Sequence, residues 1–430
     1  MPFIQTSEEI RKSSKIKVKG FVAPDYRKYS LLNVSSTILS FYGVSPLHPP
    51  LPKNIIKGQL DDVNKIVILL IDALGYNQFE YYLKVSEDKF SRTFIEAGNL
   101  AALTSTFPST TTTAYTTLHS ELSPQEHGMP GLFLYLKELR VVADMIELKP
   151  AGDYMPQRLL NMGFNPDSFI NTNLIFEKLK KRGIISYVIS KKHFMRSGLS
   201  RMLHRGANYV PYISLSDMMV SLRRVLEKNK GKNAYIFVYW YNFDGICHLC
   251  GPNSEEAMLE LKMLFSSLKE IVLERISPQI ARETTLIIIA DHGQTRVSSR
   301  KAVNLAKHPN LLKKLVIPFA GDPRAAYLYV KPNKLDEVKK YIADKFGGAF
   351  FAIESEKALK MGLFGVGKVK DETYDRIGDL ILISKGKSAF FYPYSEYMTQ
   401  FSFKGFHGGL TEDEMLVPFI CAKMDKIRDF

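Results

Sequence analysis

The strongest constraint on this chain is a run of six apolar residues, Ile66-Val67-Ile68-Leu69-Leu70-Ile71, that ends abruptly at Asp72. An apolar run without alternation suits a strand covered on both faces, the mark of a mostly parallel sheet flanked by helices. Similar runs recur at Tyr235 to Tyr239, Leu286 to Ala290, Leu380 to Ile383 and Leu416 to Ile420. Between them the apolar period becomes helical. Met218, Leu222, Val225 and Leu226 share one face, and after the N-cap candidate Ser254 so do Ala257, Leu261, Leu264, Leu268 and Ile271. Strands alternating with helices predict an α/β fold, an α/β/α sandwich.

Two segments fall outside that rhythm. Residues 1–60, with Pro46, Pro49, Pro50 and Pro52, read as a loop-like segment that wraps the core. Residues 321–376 read as a small α+β cap insertion. It holds a strand at Ala326 to Val330, a helix at Leu335 to Lys345 stopped by Gly347-Gly348, and a strand at Ala349 to Ile353. The catalytic core is then 61–320 with 377–430. A chain of 430 residues buries a sizeable core without disulfide staples. Its three cysteines, Cys247, Cys250 and Cys421, are too few and odd in number for a disulfide framework, which favours a reducing compartment. No apolar run approaches membrane-helix length, and the N-terminus lacks the apolar stretch of a secretory leader. A cytoplasmic protein with no membrane span is the expectation. The formal charge of +14 favours anionic ligands, or else marks a lysine-rich solvated surface.

Several of the buried-type strands end in acids and histidines. Asp72 follows the first run, Asp291 and His292 follow another, and Asp244 closes an aromatic-rich strand with His248 four residues on. An Asp after a strand is commonly a turn or cap residue. Four such residues from three distant segments, all at strand ends where open α/β sheets bind ligands, point to a site. Imidazole and carboxylate are zinc-type ligands. With His407, in Phe406-His407-Gly408-Gly409, there are six donors, enough for two metals with three apiece, an arrangement suited to phosphoryl transfer. A nucleophile is available in Thr104-Ser105-Thr106-Phe107-Pro108-Ser109-Thr110-Thr111-Thr112-Thr113, which also reads as a capped helix entrance. Composition alone does not choose among its hydroxyls.

The ordered set IDALG, FPSTTTTAYTTLHSELSPQEHG, FDGICHLCGP, ADHG and FHGG resembles the type I phosphodiesterase/nucleotide pyrophosphatase family of the alkaline phosphatase superfamily, over roughly Ile66 to Ile420. The resemblance implies an alkaline-phosphatase-like fold with two divalent metal ions, Zn2+, at the carboxyl edge of the sheet. It implies Asp244, His248 and His407 on one ion. Asp72, Asp291 and His292 would hold the other, which also carries the nucleophile. The aromatic-Pro-Ser/Thr-x-Thr context places that nucleophile at Thr111, with Thr110 and Thr112 as alternatives. The implied reaction is hydrolysis of phosphodiester or nucleotide pyrophosphate bonds through a covalent phospho-threonine.

Two departures stand out. Many family members carry a phosphate-binding Asn a few residues after the His-Gly, a position that falls near Leu132 here. The residues after Thr111 also differ from the eukaryotic continuation, so the chain resembles the compact prokaryotic branch. None of Thr112, Thr113, Ala114 and Tyr115 is cationic, which favours diesters over monoester dianions. A phosphomonoesterase or phosphomutase of the same superfamily is the nearest alternative. A non-catalytic polyanion-binding protein is the second, but no nucleic-acid-binding signature supports a nucleic-acid partner. The expected partner is a small phosphate-ester or nucleotide substrate. Tyr239, Trp240, Tyr241 and Phe243 and the cap could wall its site. His127 is a candidate to hydrogen-bond a ligand. The basic stretch Lys191, Lys192, Arg196, Arg201 and Arg205 reads mainly as surface, and Cys247 and Cys250 as packing.

Overall fold

The computed structural model describes residues 3–86, 88–395 and 401–428. Lys65–Ile71, buried along its whole length, stands in the middle of an eight-stranded sheet. The strand order is Phe3–Ile4, Asn99–Thr104, Leu416–Lys423, Thr284–Ile289, Lys65–Ile71, Ala234–Trp240, Ile185–Lys191, Asn208–Tyr212. Only Leu416–Lys423 runs against the others, pairing antiparallel with both neighbours. Its apolar run does not betray that direction, because burial on both faces erases alternation in either orientation. The chain thus has the mostly parallel α/β core expected from its runs. No helix among the described residues is long and apolar enough to cross a membrane.

Helices cover the faces for the reason their spacing suggests. Leu215–Lys228 buries Met218, Met219, Leu222, Val225 and Leu226. Glu255–Ser267, capped by Ser254 Oγ accepting from the Ala257 N–H, buries Ala257, Leu261, Leu264 and Phe265.

The described residues before position 61 are not loop alone. They hold the helices Thr6–Ser13, Leu31–Phe41 and Lys53–Ile56. In Leu31–Phe41, nine of eleven residues are buried. A helix enclosed on all sides shows no amphipathic stripe, which is why its sequence looked featureless. It lies against the helix Thr111–Ser120, with Ser35 Oγ donating to the Leu118 carbonyl at 2.8 Å.

A second sheet of seven strands is antiparallel throughout. It runs in the order Phe350–Glu354, Leu380–Ser384, Ala325–Val330, Leu315–Asp322, Phe133–Leu136, Val141–Asp144, Lys149–Pro150. The run at Leu380 therefore belongs to this sheet and not to the parallel one. The sheet also draws in a hairpin from residues 133–150 that no local pattern connects to residues 321–376. A short ladder of Thr295–Arg296 with Gly405–Phe406 then fastens the segment after Asp291-His292 to the segment before His407.

Candidate active site

The carboxyl ends of the central strands converge as open α/β sheets require. Asp72 follows Lys65–Ile71, and Asp291 and His292 follow Thr284–Ile289. Asp244 and His248 sit one turn apart on the helix Asn242–Cys250, on the same face. The Thr295/Phe406 ladder delivers His407, whose ring stacks on His292 with centroids 3.8 Å apart. Thr111 opens the helix Thr111–Ser120 and reaches His292 Nε2 at 3.2 Å. The structure thus gathers all seven candidates in one place.

Each imidazole is oriented in the same way. Nδ1–H donates to a main-chain carbonyl: His248 to Gly405 at 2.8 Å, His292 to Gly293 at 3.1 Å and His407 to Ser109 at 3.1 Å. A neutral ring carries one N–H, so Nε2 turns a lone pair inward in all three. His292 Nε2 faces Asp72 Oδ1 at 3.6 Å and Asp291 Oδ2 at 3.5 Å. Those two carboxylate oxygens are buried and have no hydrogen-bond partner among the described residues. Their sister oxygens are occupied. Tyr239 OH donates to Asp72 Oδ2, and the Ala73 and His292 N–H groups donate to Asp291 Oδ1 at 3.1 and 3.0 Å. Alongside, Asp244 Oδ1 lies 3.3 Å from His248 Nε2 and 3.8 Å from His407 Nε2, and accepts from Gln294 Nε2 at 2.6 Å.

Lone pairs facing lone pairs at these distances repel unless a proton or cation lies between them. The electrostatics agree. Burial, then the charges of Asp291 and Asp244, hold the Asp72 carboxyl well above the usual carboxylate range. Burial, then His292, pushes His407 well below an ordinary imidazole. Burial would raise Asp244 too, but His248, His407 and His292 outweigh it and draw that carboxyl below its usual range. Asp72, Asp291 and His292 offer ligand atoms mutually within 4.8 Å, as do Asp244, His292 and His407, so the donors fit cations. A cation between Asp72, Asp291 and His292 would satisfy the two orphaned oxygens.

A cavity of about 220 Å³ opens beside Asp72, Thr111 and Asp244. Its walls are mostly apolar and aromatic, including Tyr115, Ile146, Phe194, Tyr239 and Tyr241, and none of the lining residues among the described residues is cationic. None of the described lining residues comes from 321–376; Ile146, between the strands Val141–Asp144 and Lys149–Pro150, is the second sheet's contribution. Trp240 and Phe243 are buried instead, with the Trp240 indole N–H on Glu260 at 2.9 Å.

Other sequence candidates resolve plainly. His127 accepts from the Met129 N–H and donates to Thr117 Oγ1, so it braces the helix behind Thr111 and holds no ligand. Arg201 pairs with Asp167 and Arg205 with Glu177, while Lys191 Nζ donates to the OH of the lining Tyr241 at 2.6 Å. Cys247 is buried, with Gln78 Nε2 at 3.4 Å from its sulfur. Sequence reasoning missed Tyr239 as the donor to Asp72, and it missed Gln294. The position of Gln294, two residues past His292, was the available signal.

A model of the type I phosphodiesterase/nucleotide pyrophosphatase family matches residues 66–410. The chain belongs to that family. It is thereby a phosphodiesterase/pyrophosphatase-type hydrolase of the alkaline phosphatase superfamily. No curated protein sequence matches it. Among solved structures, murine ectonucleotide pyrophosphatase/phosphodiesterase 5 is similar at 16% identity and TM-score 0.62, over 83% of this chain and 88% of that one. Its human counterpart is similar at 16% identity and TM-score 0.63, over 83% and 87%. Phosphonoacetate hydrolase from Sinorhizobium meliloti is similar at 17% identity and TM-score 0.60, over 85% and 94%. These likenesses show that the alkaline-phosphatase-like fold is shared. The main-chain N–H of Leu132 donates to Asp322 Oδ2 at 3.3 Å.

Proposed function

We propose that this chain is a two-metal hydrolase of phosphodiester or nucleotide pyrophosphate bonds that attacks phosphorus with Thr111. One observation carries the reading. Three imidazoles aim Nε2 lone pairs into the site, toward carboxylate oxygens or the Thr111 hydroxyl, and two of those carboxylate oxygens have no hydrogen-bond partner among the described residues. Asp72, Asp291 and His292 would hold one divalent cation, and Asp244, His248 and His407 the other; this mixture of imidazole and carboxylate suits Zn2+. When bound, such a pair supplies positive charge at the attacking and leaving oxygens.

The chain's own residues provide the remainder. With its Nδ1–H on Gly293, His292 turns Nε2 into the site, and the Thr111 oxygen lies 3.2 Å from that nitrogen, among the donors that would hold the first cation. The first-turn N–H groups of Thr111–Ser120 have no intrahelical partner and point to where phosphate oxygens arrive. The Thr111 Oγ–P bond forms as the bond to the alcohol or nucleoside phosphate breaks, leaving a phospho-threonine that water hydrolyses. The aromatic cavity accommodates the ester's organic substituent and excludes water. Structures of relatives with AMP and with phosphonoacetate fit a small phosphorylated substrate.

The absence of a cation lining the cavity favours singly charged diesters over monoester dianions. The test compares kcat/KM for p-nitrophenyl phosphate and a p-nitrophenyl nucleotide on one zinc-loaded preparation. The nucleotide should win. A tenfold preference for the monoester, about 1.4 kcal/mol in transition-state stabilisation, would move the assignment to phosphomonoesterase. Absence of any metal-dependent turnover would leave the polyanion-binding alternative.

A further inference from the structure

Tyr115 stands one turn after Thr111 on the same helix face and borders the cavity. Its phenolic oxygen lies 2.9 Å from His204 Nε2. His204 directly follows the helix Gly198–Leu203, which supplies Leu199 and Ser200 to the same cavity. Its N–H donates to the Ser200 carbonyl at 3.0 Å, so the Tyr115–His204 contact belongs to the end of the cavity closed by that helix. Aromatic rings fix the phenol in place. Tyr115 stacks on His119 with centroids 4.2 Å apart and meets Phe237 and Tyr239 at 5.5 and 5.3 Å. The second nitrogen of the imidazole is a different matter. His204 Nδ1 is buried and has no hydrogen-bond partner among the described residues.

Two placements of the protons fit the 2.9 Å contact. Burial lowers His204 to about 3, so its ring is neutral near pH 7 and carries a single N–H. If the phenol donated to Nε2, that hydrogen would sit on Nδ1, a buried donor with no acceptor. If Nε2–H donates to the phenolic oxygen, Nδ1 keeps a lone pair and the phenol keeps its own hydrogen for another partner. A buried N–H left without an acceptor is among the rarest arrangements in proteins, which favours the second placement. A phenolic O–H lies near the ring plane, so accepting from His204 on one side turns the hydrogen to the other. We propose that His204 donates to Tyr115 and thereby presents the Tyr115 O–H to the cavity, where it donates to an oxygen or ring-nitrogen acceptor on the organic substituent of the ester. The inference rests on the proposed function and deepens it by naming the substituent's class. A plain hydrocarbon group would leave this donor unpaired, whereas a nucleobase or sugar satisfies it. In a cavity that is otherwise mostly apolar, one fixed polar group of this kind sets orientation and specificity.

The test uses the zinc-loaded full chain and two esters with the same leaving group and a single negative charge. One is a p-nitrophenyl nucleotide; the other is p-nitrophenyl phenylphosphonate, whose phenyl group offers no acceptor. Tyr115→Phe keeps the ring and its packing and removes only the hydroxyl. It should lower the ratio of kcat/KM for the nucleotide to kcat/KM for the phenylphosphonate about tenfold, the scale of one hydrogen bond. An equal loss on both esters would place the hydroxyl's effect at phosphorus or in the fold, and no loss on the nucleotide would leave the hydroxyl without a role; either result overturns the proposal. The proton placement is read separately, without turnover. Long-range proton–nitrogen NMR of histidine-labelled parent protein, with His204 assigned by its loss in His204→Gln, should find the ring hydrogen on Nε2. A hydrogen on Nδ1 overturns the proposal as well. Parental protein that hydrolyses neither ester would instead count against the proposed function, and the NMR spectrum would still report on His204 and Tyr115.

Discussion

Arg324 and Glu414 form an ion pair with no exposure on either side chain, and replacing Arg324 by Met is a severe test of how the His407 loop is held. Arg324 Nε and Nη2 reach the two Glu414 oxygens at 2.6 and 2.9 Å, and Nη1 donates to the Ser388 and Gly386 carbonyls at 2.6 and 3.0 Å. Glu414 in turn accepts from the Gly409 N–H at 2.8 Å, two residues after His407. Met fills much of the volume but leaves a buried carboxylate without its cation and two carbonyls without donors. Removing one partner of such a pair costs about 3–5 kcal/mol. For 430 residues the unfolding entropy scales to roughly 0.9 kcal/mol/K, so the melting temperature should fall by about 3–6 °C. The assay is a thermal melt of metal-matched parent, Arg324→Met, Glu414→Leu and the double variant. The double variant should be less destabilised than the sum of the singles by at least about 2 kcal/mol. A melting temperature within 1 °C of the parent for Arg324→Met, roughly 0.9 kcal/mol on that scale, would refute the reasoning.

Three further outcomes are expected. Thr111→Ala should abolish turnover while keeping the fold and most bound metal, and Thr111→Ser should retain part of the rate; steady-state kinetics with elemental analysis decides, and a fully active alanine variant would transfer the role to Thr110 or Thr112. Tyr239→Phe removes the phenol that donates to Asp72 and should weaken metal binding about tenfold, as losses behind a ligand do, measured by competition with a chelator. Asp322 should also leave a pH signature. Its carboxyl is raised from 3.8 to about 7 by burial, so its favourable contribution is full below pH 3.8 and is lost as pH rises through about 7, a change of about 4 kcal/mol. The groups facing it, Thr110, the Leu132 amide and the Tyr327 phenol, carry no charge in that window. Asp322→Asn should therefore gain stability relative to the parent between pH 5 and pH 8.5 in denaturant titrations, and parallel profiles would contradict this.

Much of the site was legible because each of its acids and histidines follows a recognisable local signal. Asp72 and Asp291 terminate apolar runs, and Asp244 and His248 share a helix face, so the pleated-strand and helix periods brought them to one edge of one sheet. What sequence could not show is what depends on distant pairing. Leu31–Phe41 was hidden because full burial removes the stripe that reveals a helix. The orientation of Leu416–Lys423 was hidden because a strand apolar on both faces looks the same in either direction. Asp322 ends a strand far along the chain from Leu132, and the pairing of Gly321 with Phe133 brings the two together. Tyr239 reads as a core aromatic until Asp72 is seen beside its hydroxyl.

The central claim is that two cations sit where these lone pairs converge. Elemental analysis of chelator-washed, active protein, read beside its rate on a p-nitrophenyl nucleotide, tests it most directly. Close to two metal ions per chain are expected, three protein ligands apiece, with Asp291→Ala and His248→Ala each losing metal and rate together. Full activity in protein carrying no metal would contradict it.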